Sequence, residues 1–242
     1  MSKPLAQKGK INYFKGVSQD DRHCWGFEEW RITPHADGSR TLNAHCELHD
    51  DPLIIRDVIQ SIDANRQPTD ALVRLAVNGA FQGAALYTFG NGEATCHGVN
   101  RTTNYFMDQR DIPPAIRGFG THALMADGWL TAHFDRSEGP GAKEFRNNLL
   151  TSLDHQGGTG PDFQVTTFSH MQYFGDETVS VLAGRFDCHH FAIIGASNNH
   201  PQYDFWVTAD EEFVYVKGAV PEEYGWSFEL AEYDTLESGV RS

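Results

Sequence analysis

The chain has 242 residues, and 19 basic against 33 acidic side chains leave a formal charge of −14. That balance excludes nucleic acid as a partner, because no surplus of Lys or Arg is present to displace counterions from a phosphate backbone. With 40% hydrophobic and 12% aromatic residues the chain can bury a sizeable core, and no apolar run approaches the ~20 residues of a membrane helix.

The leading residues Met1-Ser2-Lys3-Pro4-Leu5-Ala6 carry charge but no apolar export core, so a cytoplasmic protein without a membrane partner is expected. Cys24, Cys46, Cys96 and Cys188 are widely spaced and read as small buried residues. The 12 histidines are scattered. Cys188-His189-His190 puts neighbours on opposite strand faces. His45, Glu47 and His49 share a face only until Asp50-Asp51-Pro52 turns the chain. No metal and no cofactor is expected.

Residues 1–20 are polar around Tyr13-Phe14 and read as an N-terminal arm. From there alternation dominates, with strands over 24–32, 40–48, 53–63, 71–77, 81–89 and 94–103. In the second, Leu42, Ala44, Cys46 and Leu48 share one face. Asn78-Gly79 and Gly90-Asn91-Gly92 are hairpin turns, so the first hundred residues form an antiparallel meander. Pro113-Pro114 breaks it. Thr121 is a candidate N-cap for a helix over 123–134, and residues 143–154 read as a strand. Gly157-Gly158-Thr159-Gly160-Pro161 lacks the Lys-Ser/Thr of a phosphate loop and reads as a connector. Strands resume over 163–173, 178–183, 186–194, 203–208, 212–216 and 226–233.

Residues 40–89 and 185–233 read alike: each opens with Cys beside His, and each carries two aspartates six apart (Asp57 and Asp63; Asp204 and Asp210). Two meanders closing on one another remove exposed strand edges. The expected fold is therefore mainly all-β, a large antiparallel barrel of about 11–12 strands, wide enough for a cavity. It forms a single domain over 21–234, with half-barrels over 21–106 and 163–234 joined by a loop and helix over 107–162.

Gly184-Arg185-Phe186-Asp187-Cys188, Tyr203-Asp204-Phe205-Trp206-Val207-Thr208-Ala209-Asp210 and Phe213-Val214-Tyr215-Val216 resemble late strands of uncharacterised bacterial lipocalin-like and lipoprotein-carrier-like barrels. The resemblance spans about fifty residues and implies a curved antiparallel sheet around a helix or an apolar ligand. It bears on fold and not on reaction.

Chemistry is sought in polar residues that alternation turns inward. His190 falls on the face of Phe186, Cys188 and Ala192. His97 and Arg101 share a face suited to binding a carboxylate or enolate and moving a proton beside it. Asp57 lies between Ile55 and Ile59, and His122 begins the helix. These five are the candidate catalytic residues, and Trp25, Phe27 and Tyr105 the candidate walls of an aromatic ligand. The leading expectation is a cofactor-independent lyase or isomerase type of enzyme, moving protons on a hydrophobic aromatic or terpenoid molecule. The alternatives are a non-catalytic binder of such a molecule and a structural or partner-binding β domain. A homodimer is compatible with all three.

Overall fold

The computed structural model describes residues 5–16, 20–112, 118–144, 148–166, 170–195, 201–220 and 224–236. The strands are β1 (Ala6–Lys15), β2 (His23–Pro34), β3 (Arg40–Leu48), β4 (Ile54–Ile62), β5 (Pro68–Val77), β6 (Ala80–Gly90), β7 (Glu93–Asn100) and β8 (Asn104–Asp111), followed by the short β9 (Phe119–Gly120). Then come the helix α1 (Leu124–Leu130), β10 (Gly141–Glu144), β11 (Asn148–Leu150), β12 (Gln164–Thr166), β13 (His170–Val181), β14 (Gly184–Ile194), β15 (Tyr203–Thr208), β16 (Tyr215–Ala219) and β17 (Trp226–Leu236). The expected all-β fold is present. Fourteen strands form one antiparallel sheet in the order β10-β13-β14-β15-β16-β17-β1-β2-β3-β4-β5-β6-β7-β8, and β12-β11-β9 form a small second sheet.

The alternation that predicts these strands also sets their faces. Along β3, Arg40, Leu42, Ala44, Cys46 and Leu48 are buried and the residues between them are not. Asn78-Gly79 and Asn91-Gly92 both take positive φ, which gives two-residue hairpins the twist of their strands.

Four expectations change. Most of the expected arm is β1, which pairs with β17 on one side and β2 on the other and so joins the two strand sets. Its lysines hid the alternation of Ile11 and Tyr13, which are buried beneath them. The segments 170–173 and 178–181 belong to one strand, β13, which passes through a bulge at Gly175, φ 120°. Thr121 does not cap α1: the capping position is Ala123, without a side-chain bond. Finally, the two meanders do not close by hydrogen bonds among the described residues. The sheet has 14 strands rather than 11 or 12 and ends at β10 and β8. Pro113 and Pro114 lie outside the described residues.

The curled sheet packs on both sides of α1. Glu28 of β2 reaches the first turn of the helix. On the far side a Cβ on Gly128 would stand 2.2 Å from the Phe213 carbonyl oxygen, just before β16. Around the helix the interior is aromatic, with Tyr87, Phe119, Phe163, Phe191, Phe205 and Tyr215 fully buried.

Candidate functional site

Two polar constellations stand out, one inside the curled sheet and one on its outer face. Inside, Glu28 shares its strand face with Trp30 and Ile32 and is 0% exposed. Its carboxylate accepts the amides of Leu124 at 2.6 Å and Met125 at 2.9 Å, the Tyr13 hydroxyl at 3.2 Å and the Cys46 thiol at 3.5 Å. Burial raises its pKa, against the pull of the two helix amides. One turn into α1, burial and the nearby Glu28 raise Asp127 to about 8. A hydrogen bond from Tyr203 opposes that shift, and the Tyr203 and Tyr215 hydroxyls lie 2.7 Å apart. Arg56, 2% exposed, donates to the carbonyls of His122 at 2.5 Å and Gln156 at 2.6 Å. Gln60 donates to the Phe119 carbonyl and accepts from Thr121. Each of these buried side chains has a protein partner, as burial in a low-dielectric interior demands.

The outer face is organised by cross-strand rows. One runs Lys8, Arg31, Asn43, Ile59, Leu72, Leu86, His97, Met107 from β1 to β8, each residue directly opposite the next. It is cationic at one end and apolar from β4 to β6. Ile59, Leu72 and Leu86 are 39–45% exposed. The adjacent row runs Lys10, Glu29, His45, Asp57, Arg74, Ala84, Val99, Tyr105. Both rows border a groove of about 660 Å³ lined by Lys8, Lys10, Arg31, His45, Asp57 and Ile59 among others. Lys8 pairs with Asp234 and Lys10 with Glu29. His45 hydrogen-bonds Asp57 through Nδ1 at 2.6 Å and Glu47 through Nε2 at 3.1 Å, and His49 bonds the other Glu47 oxygen at 2.6 Å. Burial opposes charge on His45, but its bonds to Asp57 and Glu47 win and its pKa is raised. His49 and His45 together lower that of Glu47. Among the described residues, no group of His, Cys, Asp and Glu is arranged to hold a metal ion.

The sequence-derived candidates do not converge. Asp57 sits on the outer face against His45, while its neighbour Arg56 points inward. His97 is exposed, 3.5 Å from the Tyr105 hydroxyl. Arg101 lies in the exposed turn after β7. His122 has φ 59° and its ring bonds the Ser152 carbonyl at 3.1 Å. His190 is on the opposite face from Phe191, stacked on Trp206 at 4.1 Å and on Phe174 at 4.5 Å. Its Nε2 lies 3.1 Å from Asp204. The expected inward imidazole is therefore an outer one, because both faces of β14 are apolar: Cys188 packs with Val179 and Val216 in a cluster separate from the main core. Of the ligand walls, Trp25 is buried against Tyr13 and Trp226. Phe27 lies on the outer face by His45 and His49, and Tyr105 is 68% exposed. The duplicated aspartates do share a role, since Asp57 and Asp204 each bond a histidine of the preceding strand. Glu28, Arg56 and Asp127 were missed. Alternation with Trp30 and Ile32, or with Ile54 and Val58, exposes the first two.

No family model and no curated protein matches the chain. Among solved structures, a β-barrel-like protein of the domain of unknown function DUF1849 from Brucella abortus is similar over 98% of this chain and 100% of that one, at 8% identity and a TM-score of 0.54. The chain has a β-barrel-like fold. A DUF1089-family protein from Pseudomonas aeruginosa matches 80% of this chain and 89% of its own length, at 8% identity and a TM-score of 0.42. At such identities the likeness concerns fold alone.

Proposed function

We propose that the protein is a non-catalytic binder of a hydrophobic small molecule with an anionic end, held along the outer face of the sheet. One observation carries this reading: the row in which Lys8 and Arg31 give way to Ile59, Leu72 and Leu86 beside the groove. Lys8 is already paired with Asp234, whereas Arg31 has no carboxylate partner among the described residues. A guanidinium in that position suits a carboxylate or phosphate head. From Arg31 to Leu86 is four strand spacings, about 19 Å, similar to the ~15 Å that one acyl chain contributes to a bilayer core. A lipocalin-like carrier role belongs to this reading.

The test is titration with a sixteen-carbon saturated fatty acid and with the alcohol of the same length, followed by calorimetry. The acid should bind more tightly than the alcohol. Arg31→Glu should remove that preference, and Leu72→Asp should weaken both ligands about tenfold or more, near the cost of exposing one buried leucine. Wild-type affinity in both variants would refute the reading.

A second reading keeps the acid–base enzyme and moves it inward. Asp127, protonated at neutral pH beside Tyr203, has the character of a donor to a developing oxyanion. Native mass spectrometry separates the two. An apolar ligand retained by Leu72→Asp but lost from Asp127→Leu favours the interior, and the reverse favours the outer face.

A further inference from the structure

The two ends of the large sheet differ. β10 has four residues, Gly141–Glu144, follows Pro140 and carries Lys143. Shortness, proline and lysine are the usual protections of a strand edge. β8 has eight residues, Asn104–Asp111, pairs with β7 without a bulge, and contains neither proline nor lysine; its inward charges, Asp108 and Arg110, neutralise one another. Among the described residues no strand pairs with its far side. Tyr105 and Met107, which point outward from it, are 68% and 63% exposed.

We propose that β8 is the dimer interface of this protein, pairing antiparallel with β8 of a second copy about a two-fold axis through Met107. A two-fold axis perpendicular to the sheet keeps the outer faces of both copies on one side, so opposed residues must share a face. Centring on Met107 sets Met107 against Met107 and Tyr105 against Gln109 outside. Inside, Phe106 meets Asp108 and Asn104 meets Arg110. No like charges are directly opposed, and each Asp108 is neutralised by its own Arg110 at 2.8 Å. Centring on Asp108 instead would oppose two carboxylates, which is destabilising. Centring on Phe106 would run the pairing into the turn at 101–103. The favoured register also joins the two outer rows, so that Ile59, Leu72, Leu86, His97 and Met107 continue into the same residues of the second copy.

Sedimentation of the full chain at tens of micromolar, a range typical of weak specific pairing, should give a dimer. Met107→Lys and Met107→Glu should each sediment as monomers with unchanged circular dichroism, since the side chain is exposed. An equimolar mixture of the two should restore the dimer, because lysine then faces glutamate across the axis. A monomeric wild type, a dimer that survives both substitutions, or a mixture that stays monomeric would each overturn the proposal. Failure of fatty-acid binding would leave it standing, because it rests on the edge and not on the groove.

Discussion

Glu28 accepts the backbone amide of Leu124 at 2.6 Å, so the barrel wall supplies the cap that α1 lacks in its own sequence. The first amides of a helix have no intrahelical acceptor, and burial removes water as a substitute. Glu28→Ala strands the amides of Leu124 and Met125 and the Tyr13 hydroxyl together. The expected loss is about 3 kcal/mol in denaturant unfolding, and Glu28→Gln, which keeps an acceptor oxygen, should lose less than half of that. Equal stability of the alanine variant would mean that the helix is held by packing alone.

Asp127 makes stability depend on pH. Its folded pKa is about 8 against an ordinary 3.8, so between those values the folded state binds more protons than the unfolded one. Stability then falls as pH rises from about 4 to about 8. Glu28, whose pKa burial raises in the same direction, adds to that fall, and its charge is one of the causes that raise Asp127. Asp127→Asn should match the wild type in melting temperature near pH 4 and exceed it near pH 8.5. Parallel melting curves across this range would contradict the assignment.

Gly128 inverts a familiar rule. Alanine in place of a mid-helix glycine ordinarily stabilises by up to about 1 kcal/mol. Here the new Cβ would lie 2.2 Å from the Phe213 carbonyl oxygen, a backbone atom. Gly128→Ala should therefore cost about 2 kcal/mol, as overpacking does, visible as a lower urea midpoint with an unchanged slope.

Strand existence was legible because one face of most strands is buried. β2 to β7 fall within a few residues of their expected bounds, and the helix is present though shorter than expected. Facing was legible where one side is polar, as in β3. It was not legible in β4, where Ile55 and Ile59 flank Asp57 on the outer face while Ile54, Val58 and Ile62 line the inner one. Nor was it in β14, whose two faces each meet an apolar cluster. The site is hidden in the sequence for a related reason. Imidazoles have acid–base character, yet His45, His97 and His190 are partners of outer-face residues, whereas Glu28 and Arg56 are charged side chains that the alternating pattern places inside. Asp127 could not be found this way, since nothing in its local sequence says that α1 is enclosed.

His45 links the groove to pH. Its ring is hydrogen-bonded between Asp57 and Glu47, and its pKa is raised above the ordinary 6.5 by those carboxylates despite partial burial. A raised histidine pKa contributes stability that is complete below the ordinary value and lost as pH rises through the folded one. The same proton places a cation in the groove that Arg31 also lines. If the groove holds an anionic amphiphile, affinity should rise as pH falls through the folded pKa of His45. The ring titration is followed by its proton resonances in NMR. Asp57→Asn should bring the His45 midpoint down toward the ordinary value, and His45→Gln should flatten the pH dependence of fatty-acid binding while leaving the fold intact. An unmoved midpoint in Asp57→Asn would show that the 2.6 Å contact does not hold the proton.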